Sequence, residues 1–204
     1  MHDAPDEKEG LRERKRRQML QRIAEVGLDL FLSKGYGATT LDEIAEAAGI
    51  SRRTFFYYFK SKDDVLLAHL GGYVEALRAS VVENSAAGTP VDVARNALLK
   101  FSAGSQPSRA IAIARVMDES EALRARVPIS YMQFEQALYE GLCELWPGKA
   151  YCDRLRLVAM ASAGVMRLAA EAWVRDSGKR PLAKHIQDAF VKLKAAIGSA
   201  DNDS

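Results

Sequence analysis

Cysteine, proline and long apolar runs are all scarce in this 204-residue chain, and each scarcity removes a class of protein. The two cysteines, Cys143 and Cys152, flank Trp146-Pro147-Gly148 with no CxxC and no metal-ligand spacing, which excludes a disulfide framework and reads as two reduced structural thiols. The longest stretches without a charged residue, 65–74 and 157–166, are ten residues each, about half of what a helix needs to cross a bilayer. The opening MHDAPDEKEG has early acids and no apolar core, unlike a signal peptide, so we expect a soluble, cytoplasmic chain without a membrane partner. No glycine-rich phosphate loop, paired-carboxylate constellation, HExxH or nucleophile motif is present, so no enzyme and no cofactor are expected. Neither His69 nor His185 has a second metal ligand at useful spacing, and the acidic run Asp118-Glu119-Ser120-Glu121 reads as solvated helix surface.

What is present is an ordinary globular mixture, 48% hydrophobic and 27% charged, with a net charge of only +2. The charge is patterned locally. Residues 8–22 carry seven basic side chains against Glu9 and Glu13, and residues 51–62 carry Arg52, Arg53, Lys60 and Lys62 with no acid. Apolar positions Leu20, Ile23, Ala24, Gly27, Leu30 and Phe31 predict a helix over 11–34 that Gly35 closes. Thr40-Leu41-Asp42-Glu43 is a capping box that starts a second helix at 41, ended by Gly49. Ser51 caps a third, about 52–58, and Ser61-Lys62-Asp63-Asp64 starts a fourth. Proline and glycine breaks then separate five more, at about 90–103, 108–126, 129–146, 150–176 and 182–197. The fold class is therefore all-α, about nine helices, with no strand-like alternation.

Two short helices joined by Gly49-Ile50-Ser51 form a helix-turn-helix, whose second helix can enter the major groove of DNA. That second helix breaks a local rule. Helix N-termini favour acids, yet it opens on Arg52 and Arg53, an arrangement a polyanionic partner would reverse in sign. The same helix holds five consecutive aromatics, 55–59, which cannot all face inward. Phe55 and Phe59 fit an inner face with Ile44 and Ala48, leaving Phe56 and Tyr57 outward with the arginines for thymine methyls and base edges. Tyr58 lies at the margin, where its hydroxyl can reach a phosphate, and Lys62 and Thr40 each stand at a helix start suited to an anion. The bland alternatives are two solvated arginines, a larger aromatic core that takes in Phe56, and a Thr40 that merely caps.

The run Phe31-x-x-x-Gly35-Tyr36 … Thr40-x-x-x-Ile44-Ala45-x-x-Ala48-Gly49-Ile50-Ser51-x-x-x-Phe55-x-x-Tyr58-Phe59-x-x-Lys62 resembles the DNA-binding domain of the tetracycline-repressor (TetR) family of bacterial regulators, over about residues 12–66. The resemblance implies base contacts from Arg52, Arg53, Thr54 and Tyr57 and phosphate contacts from Thr40, Ser51, Tyr58 and Lys62. Most members have tyrosine where this chain has Phe56, so that position loses a hydroxyl and is left to read methyl groups. The family also implies a second, helical domain that binds a small inducer and dimerises. The organisation expected is a flexible arm over 1–10, a DNA-binding domain over 11–61, a ligand-binding and dimerisation domain over 62–197, and a disordered tail over 198–204.

In that second domain the candidate ligand residues are Phe101, Met117, Tyr131, Phe134, Trp146, Met166 and Trp173, with Arg115 as an anchor for an acid; Met132, Tyr139 and Met160 share the composition. The same residues fit an ordinary core, and only the resemblance favours a pocket. For dimerisation, the small residues Ala159, Ala161, Ser162, Ala163 and Gly164 and the stripe Leu182, Ile186, Ala189, Phe190, Leu193 and Ile197 would pack against their symmetry mates as a four-helix bundle, or equally within one chain. The function expected is a DNA-binding repressor, a homodimer released from a palindromic operator by a small hydrophobic or amphipathic ligand that swings the helix at 62–83, with Gly71-Gly72 as a flexible point or a close-packing site. The alternative is a helical carrier or protein-interaction module without DNA binding.

Overall fold

The computed structural model describes residues 10–83, 88–103, 107–119 and 121–198; the expected arm over 1–10 and tail over 198–204 lie almost wholly outside them. Among the described residues there is no strand. Nine helices have seven residues or more: α1 (Leu11–Lys34), α2 (Leu41–Ala47), α3 (Arg52–Tyr58), α4 (Lys62–Glu83), α5 (Pro90–Ala103), α6 (Pro107–Asp118), α8 (Val127–Leu145), α9 (Cys152–Arg175) and α10 (Leu182–Gly198). A single turn, α7 (Glu121–Arg124), lies between α6 and α8, and a 3-10 turn, Lys149–Tyr151, leads into α9. The chain forms two compact units, divided between Gly72 and Tyr73 within α4.

The helix predicted as continuous over 108–126 is in fact broken. Glu119 N–H bonds back to Val116 O, three residues away instead of four, so α6 tightens and ends before α7 begins. Pro128, read as a break, lies inside the first turn of α8, where a proline forfeits no helical hydrogen bond.

In the first unit, Ile23, Ala24, Leu28 and Phe31 of α1 share a core with Ile44, Ala45 and Ala48 around α2, Phe55 and Phe59 around α3, and Val65 and Leu66 of α4. Gly27 is part of the same stripe because nothing larger fits: a β-carbon there would sit 2.4 Å from Val65 Cγ1.

The second unit is built on α9, whose buried face (Leu155, Ala159, Ala163, Met166, Ala169, Trp173) shares one core with Val93, Ala97 and Leu98 of α5, Leu138 and Leu142 of α8, and Leu182, Ile186 and Phe190 of α10. By length and average hydropathy α4 and the segment Lys149–Arg175 could span a membrane, but the apolar face of α9 is taken up by this core.

Candidate nucleic-acid interface

The helix-turn-helix is assembled by local hydrogen bonds that the sequence encodes. Thr40 Oγ1 accepts from the Glu43 amide at 3.2 Å while Glu43 Oε2 accepts from the Thr40 amide at 2.9 Å, a complete capping box at the start of α2. Gly49, with φ +69, takes the left-handed conformation that turns the chain, and Ile50 N–H closes onto Ala45 O at 3.0 Å. Ser51 then caps α3 by accepting from the Thr54 amide at 3.1 Å, and its hydroxyl also lies 2.9 Å from the Thr54 hydroxyl.

Seven residues are too few for a helix to persist alone in water, so α3 is held by what it buries. Phe55 and Phe59 point inward with ring centroids 5.9 Å apart, packed in the core that contains Ile44 and Ala48, as their spacing predicts. Phe56 and Tyr57 are turned out, 43% and 73% exposed, which disposes of the larger aromatic core. Arg52, Arg53 and Ser51 are exposed beside them, while Thr54 and Tyr58 are half-buried, Tyr58 with its ring edge-on to Tyr57 at 5.1 Å.

The two arginines differ in a way the spacing did not show. Arg52 Nη1 lies 3.1 Å from Asp42 Oδ2, and its guanidinium stacks 5.6 Å from the Phe56 ring centroid. Asp42, one helix back, therefore supplies the counter-charge missing from the start of α3. Arg53 has no carboxylate partner among the described residues. An exposed pair like Arg52–Asp42 is worth at most about 1 kcal/mol, so a phosphate competes for Arg52 at small cost and meets no competitor at Arg53.

Lys62 sits where expected, on the first turn of α4, but is already engaged: its Nζ donates to Tyr36 O at 2.7 Å and lies 4.6 Å from the Tyr36 ring centroid. The Tyr36 hydroxyl donates to Asp63, and Asp64 Oδ2 accepts from the Lys60 and Ser61 amides at 3.0 and 3.1 Å. The loop after α1 is thus clasped to the start of α4. Sequence reading missed Tyr36 and Asp63 as partners because 27 residues separate them.

Glu43 also accepts from Lys34, and that bond first, then the Thr40 amide and hydroxyl, pulls its carboxyl from 4.5 to about 2. A carboxyl depressed on folding contributes its stabilisation above the unfolded value and loses it as pH falls through the folded one. We therefore expect the first turn of α2 to fray as pH drops from about 4.5 towards about 2. An NMR titration following the Thr40 amide checks this, and Glu43→Gln should flatten the profile.

In the second unit the candidate ligand residues do not form one set. Met166 and Trp173 are buried in the core, with Phe101, Phe134 and Trp146 packed against it and the Phe101 and Phe134 rings edge-to-face at 5.7 Å. Met117 is buried outside that cluster, and Arg115 is exposed. Tyr131 is half-buried, and desolvation, reinforced by Glu171, raises its hydroxyl above the usual tyrosine range. Among these candidates Trp173 Nε1 is buried without a hydrogen-bond partner among the described residues.

The residues read as a dimer face are largely claimed within the chain. Ala159, Ser162 and Ala163 of α9 and Leu182, Ile186 and Phe190 of α10 are buried. The apolar side chains left outside are Leu157, Met160 and Leu168 on α9 and Val191 and Ile197 on α10, and a β-carbon on Gly164 between them would touch nothing.

A short capped helix that turns arginines and aromatic rings outward after a three-residue turn is a helix-turn-helix of the DNA-binding class. The sequence profile of the bacterial regulatory proteins, tetR family, matches residues 23–69. The regulator TcmR of Streptomyces glaucescens is 39% identical over 82 residues, which cover 40% of this chain and 36% of TcmR. MftR of Mycobacterium tuberculosis, named for a transcriptional regulator of mycofactocin biosynthesis, is 28% identical over 92% of this chain and 89% of its own. The crystal structure of Thermus thermophilus FadR, a TetR family transcriptional repressor in complex with lauroyl-CoA, superposes with a TM-score of 0.60 at 26% identity over 85% of this chain and 92% of that one. Residues 23–69 are thus a DNA-binding domain of the tetR family of bacterial regulatory proteins.

Proposed function

We propose that the chain is a ligand-responsive transcriptional repressor that reads a palindromic DNA operator as a homodimer. The observation that carries this reading is the outward face of α3, where Arg53, without a carboxylate partner among the described residues, a weakly paired Arg52, Phe56 and Tyr57 stand exposed on a capped helix. In the groove, Arg53 makes the bidentate base contact, Phe56 and Tyr57 meet thymine methyls and base edges, and Arg52 exchanges Asp42 for phosphate. Thr54 reads a base beside them. Thr40, Ser51, Tyr58 and Lys62 border that face as phosphate contacts; Lys62 has already spent donors on the Tyr36 and Gly37 carbonyls, so it offers its remaining proton and its charge. The exposed basic residues Arg12, Arg14, Lys15, Arg16 and Arg17 at the start of α1 add charge for the flanking backbone.

Operator titration with duplexes selected from a random pool tests the reading. Affinity should fall with salt at a slope near −0.9 per phosphate neutralised. Arg53→Ala should cost roughly 1–3 kcal/mol at one base position and relax preference there, whereas Lys62→Ala should weaken all sequences alike. If neither substitution changes binding to any duplex, the carrier reading replaces this one.

The dimer brings the exposed side chains Leu157, Met160 and Leu168 of α9 and Val191 of α10 against their symmetry mates, with Gly164 allowing close approach. Two reading heads on one face of DNA must then stand about 34–36 Å apart. Leu168→Glu combined with Val191→Glu is expected to yield a folded monomer by sedimentation and to abolish operator binding at concentrations where the parent is saturated.

The ligand is amphipathic. Lauroyl-CoA, bound by the Thermus repressor, is an acyl chain on an anionic head. Here an acyl chain would lie among Phe101, Phe134, Met166 and Trp173, with the orphaned Trp173 N–H as polar contact. Gly71 and Gly72 have no packing reason to be small, since a β-carbon at either would meet nothing within 4 Å. They soften α4, the helix both units share.

A further inference from the structure

The connection between α8 and α9 brings together side chains that neither DNA reading nor an apolar ligand uses. Only six residues, 146–151, join the two helices, which therefore run antiparallel as a helical hairpin. Their register is marked by Arg156, whose guanidinium carbon lies 4.6 Å from the ring centroid of Tyr139. In an antiparallel pair, one turn forward on one helix matches one turn back on the other. One turn beyond Tyr139 on α8 is Cys143; one turn before Arg156 on α9 is Cys152. Both thiols are free and half-buried, so neither is sealed inside the core. The Tyr139 hydroxyl is held above the usual tyrosine range by Cys143 first and Cys152 second, so both thiols lie near the same ring. The Cys152 thiol also lies 3.8 Å from Gly148 O, within the connection itself.

We propose that Cys143 and Cys152 form a peroxide-reactive dithiol that closes to an intrachain disulfide across the α8–α9 corner. The thiolate of one cysteine attacks an oxygen of hydrogen peroxide; an S–O bond forms, the O–O bond breaks, and the departing hydroxide takes up a proton to leave as water. The second thiol, after giving up its proton, attacks the sulfenic sulfur, so that an S–S bond forms, the S–O bond breaks and a second water leaves. In total the two thiols lose two electrons and two protons, and one peroxide becomes two waters. A disulfide needs the two α-carbons within about 7 Å. Cys143 lies in the last turn of α8 and Cys152 is the first residue of α9, where helices yield most readily to such an approach. A disulfide made in this way is a reversible mark and not a structural staple, since reduced thiols already sit in a complete fold.

The test exposes the intact protein to a slight molar excess of hydrogen peroxide, quenches it, and maps it by mass spectrometry without reductant. The expected product has lost two hydrogens, joins the peptides of Cys143 and Cys152 within one chain, has no titratable thiol, and returns to the starting mass with dithiothreitol. Cys143→Ser and Cys152→Ser should each instead accumulate a sulfenic acid that dimedone labels, whereas the parent should take up little label because its second thiol resolves the first. The proposal is overturned if both thiols of the parent remain titratable after peroxide, if the bond joins two chains, or if dimedone labels the parent as fully as the single variants. The outcome does not depend on DNA binding, so failure of either reading leaves the other standing.

Discussion

Phe55→Ala is expected to abolish operator binding while leaving every exposed residue of the reading face in place. Phe55 is the one buried residue within α3 itself; Phe59, its partner in the core, lies just past the helix end. Truncating a buried phenylalanine costs about 3–5 kcal/mol, a large share of the 5–15 kcal/mol that keeps an ordinary domain folded. A seven-residue helix has no intrinsic stability to fall back on, so the loss is concentrated where the arginines are displayed. Amide exchange read by mass spectrometry should show residues 52–59 losing protection first. Phe56→Ala is the control, because it removes a neighbouring ring of the same size that is turned to solvent. It should leave exchange unchanged and stability within about 0.5 kcal/mol while weakening operator binding. Equal loss of protection in both variants would contradict the division of α3 into a buried and a reading side.

The difference between Phe55 and Phe56 was legible before any coordinates, because five adjacent aromatics cannot share one side of a helix. The early helices were legible for the same local reasons: the capping box of Thr40 and Glu43, Gly35 and Gly49 at the ends, Ser51 as a cap. Reading failed where the deciding partner is distant or where one signal serves two structures. Asp42 neutralises Arg52 across a turn, and no residue pattern links an acid at one helix start to a base at the next. The stripe Leu182, Ile186, Phe190 has helical period, and a period says that a face is covered without saying by what; α9 and α5 of the same chain cover it. The apolar residues left exposed, such as Leu168 and Val191, fall outside the buried faces of the same helices and were hidden by the stronger stripe. A proline likewise reads as a stop until the first turn of α8 is seen to include it.

Gly141→Ala carries the other large effect, and its sign separates helix propensity from packing. In the middle of α8, alanine should be the better helix former by about 0.5–1 kcal/mol. The neighbours decide otherwise. A β-carbon at 141 would lie 2.8 Å from Val81 Cβ, 2.9 Å from Val81 Cγ1 and 3.4 Å from Arg78 O. Two of these are a branched carbon fixed to the α4 backbone and a backbone oxygen, neither of which can swing aside as the end of a long side chain can. The helices must separate, and Val81, Leu138 and Leu142 lose contact with them, an overpacking cost of about 1–3 kcal/mol. Thermal unfolding of the second unit should therefore move down, and larger residues at 141 should move it further. Val81→Ala in the same chain removes Cγ1 but not Cβ, so it should restore part of the loss, with a coupling within the range of about 0.5–3 kcal/mol seen for touching residues. The complementary substitution is Gly71→Ala, where no atom stands in the way and the propensity gain should appear undiminished. If both glycines respond to alanine with the same stabilisation, the close approach of α4 and α8 at Gly141 does not exist in solution.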